Sequence, residues 1–96
     1  MKHAKLLEAK ISAKHCYSET VLHDYLKHKL HFPDHYGANL SALADCLSEM
    51  GMPTLITIDV DEDKIEPGMQ AYLLRFVQIV AREAFVNPKV SLIIQH

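Results

Sequence analysis

The sequence predicts an α/β domain, a small three-stranded parallel β-sheet flanked by helices. Two observations carry this expectation. The elements fall in the order β-α-α-β-α-β, and the apolar strand-like runs are separated by stretches of helical spacing. Parallel strands joined through helices imply right-handed crossovers, with helices over at least one sheet face. Length adds a third: 96 residues suffice for one core but not two, so residues 1–96 are expected to form a single domain.

The first strand is read at Leu7-Glu8-Ala9-Lys10-Ile11-Ser12. Its period-2 alternation outweighs the helix propensity of residues 4–10. Ser18 is placed to cap a helix whose apolar stripe is Val21, Leu22, Tyr25, Leu26 and the stem of Lys29, closing near Leu30. Phe32-Pro33 ends it, because proline disfavours helical geometry at the preceding residue. Gly37 is expected to supply a backbone angle that a Cβ would resist.

Asn39 then caps a short helix with Leu40, Leu43, Leu47 and Met50 on its buried face, stopped by Gly51 and Pro53. Thr54-Leu55-Ile56-Thr57-Ile58-Asp59-Val60 is β-branched and nearly continuously apolar, as expected of a buried strand. Pro67-Gly68 opens the longest helix, with Met69, Tyr72, Leu73, Phe76, Val77, Val80 and Ala84 as its stripe. Asn87-Pro88 ends that helix, and Val90–Ile94 forms the last strand.

Composition narrows the function classes. Hydrophobic residues make up 49% and charged residues 23%, an ordinary globular mixture, and no run approaches the ~20 apolar residues that span a bilayer. No apolar run with a small-residue cleavage site follows the N-terminal lysines, so the reading is a cytoplasmic protein without a membrane partner. Cys16 and Cys46 match no disulfide scaffold and no zinc spacing, and both are read as reduced thiols, with Cys46 in the core beside Leu43 and Leu47.

The net charge of -2 is unevenly spread. Residues 1–31 carry six Lys and three acids, net +3; residues 32–70 carry one Lys and eight acids, net -7; residues 71–96 carry three Lys/Arg and one acid, net +2. An acidic middle third repels phosphate backbones and attracts cationic surfaces, which argues against nucleic acid as the ligand.

Catalytic and metal signatures are weak. His23, His28, His31 and His35 lie close in sequence, and His28 and His31 could share a helix face, but there is no HExxH and no converging ligand set. They are read as surface and loop histidines, with no cofactor and no metal. Ser41 lacks a nucleophile elbow, and the three glycines are isolated, so no phosphate loop forms. The chain is therefore read as a non-enzyme. Stoichiometric metal in the purified protein would revive a small enzyme or metal-binding domain.

What remains is the second helix. Ser41, Ala44, Asp45, Ser48 and Glu49 fall away from its leucine stripe. Small side chains let a partner approach closely, while Asp45 projects one negative charge. Glu83, read on the polar side of the long helix, could add a second carboxylate. Each of these acids alone reads first as an ordinary solvent-exposed charge.

The run Leu22-His23-Asp24-Tyr25-Leu26-Lys27-His28-Lys29-Leu30, continuing through Tyr36-Gly37-x-Asn39-Leu40-x-Ala42-Leu43-x-Asp45-Cys46-Leu47, resembles the barstar family of intracellular ribonuclease inhibitors. Arg82-Glu83-Ala84 and the apolar last strand extend the resemblance over roughly Ile11–Ile94. It implies a barstar-like sheet flanked by helices, and one-to-one blockade of the active site of a small, basic, secreted ribonuclease by an immunity protein. It implies Asp45 as the central carboxylate that enters the nuclease, Glu83 as a peripheral acid, and Gly37 and Asn39 as loop contacts beside Tyr36.

The chain also departs from the founding inhibitor. His35 stands in place of a tyrosine, Ser41 of an aspartate and Ala44 of a tryptophan. The connection after Cys46 is one residue shorter, with Met50 and Met52 near where the contact surface continues. Those changes imply weak or absent affinity for the founding ribonuclease and a different cognate partner. A second reading keeps the fold but makes the chain a regulatory protein-binding module without a nuclease target.

Overall fold

The computed structural model describes residues 6–95. Strands β1 (Leu7–Ile11), β2 (Thr54–Asp59) and β3 (Val90–Gln95) form one parallel sheet in the order β1-β2-β3. Helices α1 (Glu19–Lys29) and α2 (Leu40–Ser48) lie between β1 and β2, and α3 (Pro67–Val86) lies between β2 and β3. Single 3₁₀ turns stand at Ala13–His15 and Glu62–Lys64. The predicted class and element order are those observed.

The register sets which side chains share a face. Leu7, Thr54 and Val90 lie abreast, then Ala9, Ile56 and Leu92, then Ile11, Ile58 and Ile94. All but Leu92 and Ile94 are buried, whereas Glu8, Lys10, Ser91 and Ile93 on the opposite face are exposed and Leu55 and Thr57 half-buried. β2 is thus buried on one face only, contrary to its continuous apolar character, because the helices form a single layer on the other side. α1 packs on β1, α3 on β3, and α2 on α3. Between them sit the fully buried Ile11, Leu22, Leu26, Leu43, Leu47, Ile56, Phe76 and Val80.

Local chemistry explains the helix boundaries. Ser18 Oγ accepts the Val21 N–H at 3.2 Å, and Pro67 occupies the first turn of α3, where its missing N–H is harmless. α1 buries Leu22, His23 and Leu26, and Val21 faces solvent. Beyond α1, His31 takes a left-handed conformation (φ 54°), and the Phe32 N–H donates to the Lys27 carbonyl at 3.1 Å. That is a Schellman-type ending with histidine where glycine is usual. His31 therefore lies outside α1 and does not share a helix face with His28.

β1 is an edge strand whose outer polar groups need partners. The Tyr25 hydroxyl accepts the Lys10 N–H and donates to the Lys10 carbonyl, both at 3.0 Å, standing in for a ladder neighbour at that residue. His15 stacks on the same tyrosine ring at 3.7 Å.

Candidate functional site

Residues 31–39 and α2 form the surface that the sequence singled out. The turn begins where Lys27 Nζ donates to the Asp34 carbonyl at 3.2 Å and the Tyr36 N–H to the Pro33 carbonyl at 2.9 Å. Phe32 is buried and packs its ring 4.7 Å from that of Tyr36. Asn39 caps α2 as expected: its Oδ1 accepts the Ala42 N–H at 2.8 Å, while its Nδ2 reaches the Gly37 carbonyl at 3.3 Å.

Gly37 is not the left-handed residue. No glycine has positive φ among the described residues; Ala38 does (φ 54°). The reason for glycine is proximity, since a Cβ at position 37 would sit 3.3 Å from Asn39 Nδ2 and 3.4 Å from the Ala42 methyl. A side chain there would crowd the cap of α2.

Tyr36 is half-buried, and its hydroxyl lies 2.6 Å from His23 Nδ1. His23 Nε2 lies 2.7 Å from the Tyr72 hydroxyl of α3. His23 is 0% exposed, which corrects the reading of the histidines as surface and loop groups. Burial lowers its pKa, against smaller opposing effects of Glu19 and Asp24. In the neutral ring one nitrogen donates its N–H to a hydroxyl oxygen and the other accepts a hydroxyl proton. Burial raises the pKa of both phenols, so each keeps the proton it can donate. This relay ties the loop to α1 and α3. Sequence missed it because the tyrosines are 13 and 49 residues from the histidine.

On α2 the leucine stripe faces inward, with Leu43 and Leu47 fully buried. Ser41, Asp45, Ser48 and Glu49 are exposed and Ala44 is half-buried between them. Asp45 takes part in neither ion pair found among the described residues, which are Lys10 with Asp59 at 3.6 Å and Arg82 with Glu83 at 3.7 Å. His35 is exposed at the loop tip and Gly37 and Asn39 line its return.

The C-terminal end of α2 is held from α3. Asn87 Nδ2 donates to the Leu47 carbonyl in the last turn of α2 and to the Met50 carbonyl just beyond it, at 2.8 and 3.1 Å, and Leu47 also accepts the Met50 N–H at 3.2 Å.

Glu83 lies one turn before Asn87 and is only 5% exposed, so it is not on the polar side of α3. At 3.6 residues per turn it falls on the face of Phe76, Val80 and Asn87, the first two of which are fully buried. Cys46 is half-buried rather than core. Desolvation, then Glu49 and Asp45, raise its thiol pKa, and burial takes the Cys16 thiol up to about 11. Neither is an activated nucleophile near neutral pH.

Among the described residues no group of three or more His, Cys, Asp or Glu is placed to hold a metal ion, and no helix is long and apolar enough to cross a membrane.

The family described as Barstar (barnase inhibitor) matches residues 6–87, most of the chain and all of the loop and α2. The chain belongs to the barstar family. It is also 71% identical over 28 residues to a Bacillus subtilis (strain 168) protein named "Putative ribonuclease inhibitor YrdF". That match covers 29% of this chain and 31% of the relative, so the chain spans about a third of the length of the curated relative it matches. The three-stranded parallel sheet with three helices is consistent with the fold expected of a barstar.

Proposed function

We propose that this barstar-family chain is a cytoplasmic ribonuclease inhibitor, an immunity protein whose α2 face and preceding loop block a cationic nuclease active site. The observation that carries the reading is Asp45: an exposed carboxylate on a capped, well-packed helix, outside the ion pairs found among the described residues and flanked by small side chains. A ribonuclease cleft holds its scissile phosphate with cationic side chains. A carboxylate on a rigid helix occupies the phosphate's place without being cleaved, through charge-assisted hydrogen bonds strengthened by exclusion of water. His35, Tyr36, Gly37, Asn39, Ser41 and Ala44 form the surrounding contact surface, with Glu49 at its margin. Glu83 contributes its charge from a nearly buried position rather than as a projecting side chain. The partner is a small, basic, secreted ribonuclease. With serine and alanine at positions 41 and 44, it differs from the founding nuclease.

The test is binding to a panel of microbial-type ribonucleases by calorimetry, with wild type and Asp45→Ala. Removing one member of a desolvated charge pair is expected to weaken the cognate complex by about 100-fold or more. A cognate interaction that Asp45→Ala leaves unchanged refutes the assigned role.

A further inference from the structure

A groove of about 820 Å³ lies between the end of β2, the connection that follows it, the first half of α3 and the end of β3. It shares no residue with the loop or with α2. Leu73, Leu74 and Val77 of α3 and Ile94 of β3 line it together with Ile58 at the end of β2. Leu74 and Ile94 are 59% and 51% exposed on this one concavity, which makes a contiguous apolar patch rather than scattered exposure.

One wall is acidic and held in place. Asp59, Asp61, Glu62 and Asp63 all line the groove, and among the described residues no Lys, Arg or His does. Asp61 accepts the Asp63 N–H at 3.2 Å, which builds the 3₁₀ turn. Gln70 Nε2 donates to the Glu62 and Ile65 carbonyls at 3.0 and 2.8 Å, and the Ile65 side chain is buried. Only Asp59 of these acids is in an ion pair among the described residues.

A small polar ligand would need convergent directional donors, and the Gln70 amide is already committed to backbone. An apolar floor beside unpaired carboxylates instead suits a chain segment with the opposite charge. We infer that this groove docks a lysine- or arginine-rich amphipathic segment of a protein partner, its apolar side chains on Leu74, Val77 and Ile94 and its cations facing Asp61, Glu62 and Asp63.

The inference does not rest on the inhibitor reading, and one experiment separates them. A fluorescein-labelled Leu/Lys amphipathic helical peptide is titrated with the full chain by anisotropy, and NMR shift mapping locates it. The expected result is saturable binding that maps to Ile58, Leu74, Val77 and Ile94. Glu62→Lys/Asp63→Lys should weaken it about tenfold, Leu74→Ser severalfold, and Asp45→Ala not at all. All four positions are exposed, and circular dichroism checks that the variants fold.

Equal binding of a Leu/Glu peptide of the same pattern overturns the inference. So does absence of saturable binding, or a footprint on the Asp45 face. Self-association in ultracentrifugation that Leu74→Ser abolishes also overturns it, by assigning the groove to a second copy of this chain.

Discussion

His23 and Tyr36 stand 2.6 Å apart, and this contact fastens a surface loop to a ring with no exposure of its own. The loop's position beside α2 therefore depends on the protonation and geometry of a group in the core.

Stability should fall as pH drops below about 6.5, the ordinary histidine value. Burial lowers the folded-state pKa of His23, and desolvation, Lys14 and Lys29 lower that of His15. Below 6.5 the unfolded chain binds more protons than the folded one, so the stabilisation present above that pH is progressively lost towards the folded values. The slope cannot exceed about 1.4 kcal/mol per pH unit for each histidine. Urea midpoints measured at several pH values check this, and His23→Gln should flatten the dependence without abolishing it.

Tyr36→Phe keeps the ring packing on Phe32 and removes only the hydroxyl. A buried nitrogen of His23 then loses its partner, at a cost of about 1–3 kcal/mol. Amide exchange in residues 33–38 should accelerate more than exchange in β2. Uniform acceleration would show that the hydroxyl does not hold the loop.

Positions 37 and 38 should respond with opposite signs, because crowding acts at Gly37 and a left-handed backbone at Ala38. Ala38→Gly relieves a left-handed alanine and should be neutral or stabilising by up to about 1 kcal/mol. Gly37→Ala should be destabilising by about 1 kcal/mol, since its methyl displaces the Asn39 cap. Thermal unfolding of the two variants decides the point.

Asn87→Ala should destabilise the protein by about 1–3 kcal/mol, because the Leu47 carbonyl of α2 and the Met50 carbonyl just beyond it lose the side-chain amide that holds them. The loss should be greatest in α2 and the start of β3, where Asn87 Oδ1 also accepts the Lys89 N–H. Exchange rates resolved by residue test the location.

Both thiols should be slow towards a disulfide reagent at pH 8, with Cys16, the buried one, slower than half-buried Cys46. Denaturant should make the two rates converge.

Much of this was legible because the signals are local. Ser18, Asn39 and Pro67 mark helix starts within four residues of the groups they serve, and the leucine spacing of α2 leaves Asp45 facing outward. The left-handed turns escaped notice because His31 and Ala38 carry them rather than glycine. The inward placement of Glu83 was readable from its spacing with Phe76, Val80 and Asn87, but its charge outweighed that pattern. The His23 relay depends on tertiary neighbours that no window of sequence brings together.

The Tyr25 hydroxyl makes the two margins of the sheet unequal. It occupies one position of β1, while the outer side of β3 meets no strand among the described residues and carries Ile93 and Ile94 half-open to water. Intermolecular strand recruitment in a concentrated, partly denatured sample would then start from β3, and a lysine placed at Ile93 should delay fibril growth more than one placed at Glu8.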